Sequence, residues 1–151
     1  MFLDRLPHKY EVGTQNSWGI AGLLAGVEYV RERTVDSIHR RIEDLTRRAV
    51  EGLSGIDGIT LFLPDPALHH GIVSFNLAGL SPRETASLLD RTFNIKVRDG
   101  IHCAPDAHRA AGTFPQGTVR ASFGDFNTGE EVDCLCRAVE ELARSFSALR
   151  P

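Results

Sequence analysis

The hydrophobic period of this chain changes partway along, and that change restricts the fold more than any other feature. From Val35 to Leu53 the apolar residues Val35, Ile38, Ile42, Leu45, Ala49 and Leu53 recur at three- and four-residue steps, which predicts a helix with one apolar face. After Gly52, Gly55 and Gly58 the period shortens. Ile59 to Leu63 reads as a strand ended by Pro64 and Pro66, and His69-His70-Gly71 leads into a second strand in which Val73, Phe75 and Leu77 alternate with Ser74 and Asn76. Two capping boxes then mark helix starts. Ser81-Pro82-Arg83-Glu84 opens a helix to about Phe93, and Thr128-Gly129-Glu130-Glu131 opens a last helix through Leu149. Between them lie a short strand at Ile95 to Arg98, a long loop from Gly100 to Gly117, and a strand at Thr118 to Phe123. An apolar helix from about Trp18 to Arg33 comes first. Its Gly19, Gly22 and Gly26 are each unfavourable against alanine, which points to close packing by another backbone. This order predicts an α+β fold, a small mixed sheet covered by helices.

Composition narrows the function classes. The net charge of −3 argues against nucleic-acid binding, which calls for a basic surface. No segment is apolar enough over a sufficient length to span a bilayer, and the start Met-Phe-Leu-Asp-Arg-Leu-Pro lacks the apolar core of a signal peptide. The three cysteines, Cys103, Cys134 and Cys136, are an odd set, as expected of reduced thiols in a cytoplasmic protein. Lys9 and Lys96 are the only lysines.

The chemistry-bearing residues concentrate in the long loop, Val97-Arg98-Asp99-Gly100-Ile101-His102-Cys103-Ala104-Pro105-Asp106-Ala107-His108. A nucleophilic cysteine needs cationic neighbours to favour its thiolate, and Arg98, His102, His108 and Arg109 are candidates. The competing reading is an inert buried thiol. A metal site through His102, Cys103 and His108 is the weakest option, because the spacing matches no strong zinc pattern. Cys136 falls on the apolar stripe of the last helix with Val132, Leu135, Val139 and Leu142, so it reads as core, and Cys134 points elsewhere. Arg120 stands in a strand of small and apolar residues. It either pairs with a core carboxylate or binds a ligand carboxylate in bidentate fashion. Gly13-Thr14, ahead of a helix start, is a plausible anion site, although Thr14 and Asn16 also serve simply as caps.

In combination these segments resemble the carboxy-terminal third of class V aminotransferase-like, pyridoxal-phosphate-dependent enzymes of fold type I, in particular the cysteine desulfurase family. The resemblance covers nearly the whole chain. It runs from Tyr10-Glu11-Val12-Gly13-Thr14-Gln15-Asn16 through Gly19-Ile20-Ala21-Gly22-Leu23 and Gly71-Ile72-Val73-Ser74-Phe75-Asn76. It is strongest in Val97 to Pro105 and in Val119-Arg120-Ala121-Ser122-Phe123 followed by Phe126-Asn127-Thr128.

The resemblance implies that Cys103 attacks the sulfur of L-cysteine and becomes a persulfide, leaving L-alanine. It implies that Arg120 binds the substrate's α-carboxylate, with Arg98 and His102 beside it. Thr14, with Gly13, would touch the cofactor phosphate of the partner subunit in a homodimer, and a sulfur-acceptor protein, as in iron–sulfur cluster assembly, would receive the product. It further implies a layout in which residues 1–16 are a lead-in, residues 17–151 are the small domain, and the large pyridoxal-phosphate domain with its Schiff-base lysine lies outside this chain. Lys9 and Lys96 match no Schiff-base motif, so the chain alone is expected not to turn over cysteine. Asp99 stands where the family usually has a small residue; it would either raise the thiol's pKa or pair with Arg98. A stand-alone sulfur-accepting protein, and a selenocysteine lyase or other class V aminotransferase, are the alternative functions.

Overall fold

A computed structural model describes residues 6–63 and 71–147. The chain divides into two units, residues 1–38 and residues 39–151. The first carries α1 (Ser17–Arg33), capped by Asn16, whose side chain accepts from the Gly19 amide at 3.0 Å. α1 has no buried residue. Trp18 is 89% exposed, and Ile20, Leu23, Leu24 and Val27 are each more than half exposed. The close backbone expected at its glycines is not supplied by the described residues. A Cβ at Gly22 or Gly26 would meet nothing within 4 Å, and one at Gly19 would meet its own Asn16 cap.

The second helix, α2 (Val35–Ser54), buries Leu45, Ala49 and Leu53 of the predicted stripe together with Thr46, while Ile38 and Ile42 are half-buried and Val35 is exposed. Then follow β1 (Ile59–Phe62), β2 (Ile72–Leu77), α3 (Pro82–Phe93), β3 (Arg98–Gly100), α4 (Pro105–Ala110), β4 (Thr118–Ser122) and α5 (Gly129–Ser147). The prolines expected to end β1, the His69-His70 lead-in and the end of the last helix at Leu149 lie outside the described residues.

The α+β fold class is borne out. The sheet runs in the order β1-β2-β4-β3, and every neighbouring pair is antiparallel, so it is not the mixed sheet expected. One sheet face presents Val73, Phe75, Leu77, Val119 and Ala121, all buried. They form a single core with Leu45, Ala49 and Leu53 of α2, Leu89 of α3, and Val132, Leu135, Val139 and Leu142 of α5. Both capping boxes form. Ser81 and Glu84 exchange side-chain and backbone bonds, as do Thr128 and Glu131.

Two local expectations shift. The third strand begins at Arg98 rather than Ile95, because Asn94 closes α3 in the left-handed conformation and the Ile95 amide bonds back to Leu89 O at 3.0 Å. Ile95 and Val97 are apolar because they pack on the core, not because they pair. The long loop contains α4, which Pro105 opens at the first helical turn with Asp106 beside it.

Candidate functional site

The antiparallel register decides which side chains share the second face of the sheet. Arg120 of β4 pairs with Ser74 of β2 on one side and Arg98 of β3 on the other, so the two arginines stand directly opposite each other. Like charges placed this way repel. Among the described residues neither Arg98 nor Arg120 makes an ion pair, and Arg120 Nε is buried without a hydrogen-bond partner. No core carboxylate therefore turns Arg120 into a structural pair among the described residues. Asn76 Oδ1 and Thr118 Oγ1, also on this face, are buried and unpartnered too. An unpaired guanidinium facing another cation is an arrangement that an incoming carboxylate would satisfy, in the bidentate geometry arginine favours.

Cys103 stands beside this pair. Gly100 ends β3 and its backbone meets Gly117 at the other end of the loop: a Cβ on Gly117 would lie 2.1 Å from the carbonyl carbon and oxygen of Gly100. Only glycine lets the two ends of the loop approach so closely. Within the loop the Ala104 amide donates to Ile101 O at 2.8 Å, closing a turn whose two central residues, His102 and Cys103, have φ of 52° and 60°. Positive φ at both centres is the pattern of a type I′ turn, which normally takes glycine or asparagine. Two side chains held there are strained, and strain of this kind collects at working sites. The turn exposes Cys103 and brings the Arg98 Nη2 to 3.7 Å from Cys103 Sγ.

His102 shares the turn with Cys103. Its Nε2 lies 3.2 Å from Arg98 O. A carbonyl only accepts, so Nε2 carries the hydrogen and donates, leaving Nδ1 as the bare nitrogen of the neutral ring. Burial pushes the His102 pKa below the usual imidazole value; the Arg98 carbonyl bond opposes this, and the charges of Arg120, His108 and Arg98 add to the lowering. Arg98, His102, Cys103 and Arg120 thus come together. Asp99 does not join them. It alternates to the other side of β3, opposite Val119, and among the described residues it makes no ion pair with Arg98.

Gly13 and Thr14 belong to the first unit, where both are exposed ahead of α1 and Gly13 has φ of 92°. Lys9 Nζ sits 4.8 Å over the Tyr10 ring, and Lys96 bonds to Asp90 and Asn94. Among the described residues no cluster of His, Cys, Asp or Glu has metal-binding geometry. Cys136 is half-buried against Ala49 O, and burial pushes its thiol pKa up; Cys134 is exposed. No described helix is long and apolar enough to cross a membrane.

Two features of this site escape the sequence reading, the burial of His108 and its tie to Thr113. The sequence presents His108 as a possible cation or metal ligand, yet it is buried with its Nδ1 2.7 Å from Thr113 Oγ1. Nothing in the spacing His108–Thr113 signals a side-chain bond, although Pro105 followed by helix-forming residues is a readable sign of the short helix that carries His108.

A family model described as aminotransferase class-V matches residues 2–135. A probable cysteine desulfurase of Methanothermobacter thermautotrophicus is 38% identical over 142 residues, covering 93% of this chain and 35% of the relative. One from Pyrococcus abyssi is 39% identical over 144 residues, covering 95% and 35%. The apo structure of a cysteine desulfurase from Thermococcus onnurineus superposes with a TM-score of 0.82 at 38% identity, over 92% of this chain and 34% of that one. The cysteine desulfurase CsdA from Escherichia coli, in an S-sulfonic acid form, gives a TM-score of 0.79 at 28% identity, over 93% and 34%. The chain thus spans about a third of the length of the curated relatives it matches.

Proposed function

Because the chain belongs to the class V aminotransferase family, we propose that it is the thiol-bearing part of a cysteine desulfurase-type enzyme, with Cys103 as the residue that takes the sulfur. The observation that carries this reading is the arginine pair. Arg98 and Arg120 face each other on one sheet face with no carboxylate partner among the described residues, next to an exposed thiol on a strained turn. Arg120 binds the α-carboxylate of L-cysteine. Arg98 places its Nη2 3.7 Å from the Cys103 sulfur. His102 borders the same space.

The overall change balances simply: L-cysteine and the Cys103 thiol give L-alanine and a Cys103 persulfide. Pyridoxal phosphate supplies the electron sink for such a reaction when bound. The lysine that would hold it is proposed to lie in a large domain outside these 151 residues. Gly13 and Thr14 are proposed to meet the cofactor phosphate of a partner subunit in a homodimer. The persulfide would pass to a sulfur-acceptor protein, for instance in iron–sulfur cluster assembly, in the cytoplasm. The exposed apolar surface of α1 suits cover by the large domain, since an uncovered patch of this kind is unusual.

The chain mixed with cysteine and pyridoxal phosphate should release no sulfide, and robust release by the chain alone would overturn the division of labour. Incubation with a small-molecule persulfide should add one sulfur to Cys103, read by peptide mass spectrometry; absence of that mass shift would remove the sulfur-carrying role. The same experiment bears on the second reading, a stand-alone sulfur acceptor, which the exposure of Cys103 within this chain favours.

A further inference from the structure

The reading above leaves His108 and Thr113 without a task, although both are buried, each 8% exposed, in a segment that is mostly on the surface. Their side chains are joined at 2.7 Å, and Thr113 Oγ1 also lies 3.4 Å from His108 O. One hydrogen arrangement makes both bonds: Nδ1–H donates to the hydroxyl, and the hydroxyl donates to the carbonyl. The same carbonyl accepts from the amides of Thr113 at 2.9 Å and Phe114 at 3.2 Å. The His108 amide donates to Ala104 O at 3.1 Å, and Ala104 is the residue whose own amide closes the His102-Cys103 turn. The His108 ring also meets the His102 ring, with centroids 5.5 Å apart and planes tilted by 55°. Beyond His108, the Thr113 carbonyl accepts from the Gly117 amide at 2.7 Å, where the loop rejoins the sheet. A single residue therefore links the turn that carries the thiol to the segment that returns the chain to β4.

Two non-glycine residues at positive φ persist only where the surroundings leave no room to relax. Neither His102 nor Cys103 has a covalent reason to stay there, and the Ile101–Ala104 bond alone would also close other turns. We propose that His108, locked by Thr113, is a positioning residue that holds the His102-Cys103 turn in its strained form, so that Sγ stays beside the Arg98 guanidinium. The proposal rests on Cys103 being the reactive thiol. The charged and titratable groups facing this turn are Arg98 of β3, Arg120 of β4 and the two histidines. The Asp106–Arg109 pair on α4 is exposed, and Asp99 faces the other side of β3.

The test is the rate of iodoacetamide alkylation of Cys103 against pH, read by peptide mass spectrometry on the whole chain, with exposed Cys134 as internal reference. An asparagine side chain can place a nitrogen where His108 has Nδ1, and a glutamine side chain cannot, so His108→Asn and His108→Gln separate the bond from the bulk. Thr113→Ser keeps the hydroxyl and Thr113→Val removes it. In H108Q and T113V the neutral-pH rate should fall about threefold and the rate–pH curve should move to higher pH, the effect of losing one partly exposed charge contact. H108N and T113S should follow the parent curve, and Cys134 should react alike in all. In an Arg98→Gln background, H108Q should shift the curve no further. A parent-like curve in folded H108Q and T113V would overturn the proposal. So would loss of the whole fold in both, seen as Cys136 reacting as fast as Cys134, because the bond would then serve the domain and not the turn. Failure of the sulfur-carrying reading would show separately, as no added sulfur on Cys103, with the alkylation result unaffected.

Discussion

The two faces of the sheet are built on opposite rules. One face buries Val73, Phe75, Leu77, Val119 and Ala121 against three helices, and its needs are met within the described chain. The other gathers Arg98, Arg120, Ser74 and Asn76 and leaves three buried polar atoms without partners among the described residues. Buried polar groups are normally hydrogen-bonded, and a native structure that breaks this rule on one surface marks a surface where something else binds. The packed face holds the fold, and the open face keeps an unmet electrostatic demand beside a strained, exposed thiol.

That contrast can be tested from either side. The largest effect belongs to the packed face. Phe75→Ala should destabilise the chain by about 3–5 kcal/mol in urea unfolding, because a fully buried ring leaves a cavity behind. Next comes the cap that anchors α3 over that core. Ser81→Ala should cost about 1 kcal/mol in the same measurement, since it leaves the Glu84 amide without its acceptor and removes the hydroxyl that donates to the Glu84 carboxylate. On the open face the expectation reverses. Arg120→Met should change stability by no more than about 0.5 kcal/mol in either direction, because the guanidinium satisfies nothing there and faces a second cation. A loss as large as that of Phe75→Ala would erase the distinction between the faces.

The smallest effect is a pH dependence. His102 has a folded pKa below its ordinary value, so below that ordinary value the unfolded chain binds more protons at this site than the folded one. Its contribution is therefore complete above about 6.5 and is lost as pH falls through the folded value. Unfolding curves of the parent and of His102→Gln should converge on the alkaline side and separate on acidification, with the parent losing more.

Much of the packed face was legible in the sequence. The alternation around Phe75, both capping boxes and the Leu45-Ala49-Leu53 part of the α2 stripe are local codes that formed as read, although Val35 at the start of that stripe is exposed. The open face was legible only as a set of residue types. Cys103, His102 and Arg98 are close in sequence, but Arg120 joins them through the β3–β4 register, a non-local choice. The Ile101–Ala104 turn carries no glycine or asparagine to announce it, and the His108–Thr113 bond depends on how α4 folds back. The glycines of α1 mislead for a related reason: small residues state that a close approach is allowed, but not which surface makes it.

By itself, then, the sequence determined the four long helices, the strands around Phe75 and Val119, the core face and the residue types able to carry thiol chemistry, because periodicity and caps act over a few residues. Only the tertiary structure decided that the sheet is antiparallel throughout, that two arginines meet without a carboxylate among the described residues, and that Asp99 turns away from Cys103. Strand register and loop closure set those outcomes. Both follow from the packing of segments far apart in the chain, which no local pattern encodes.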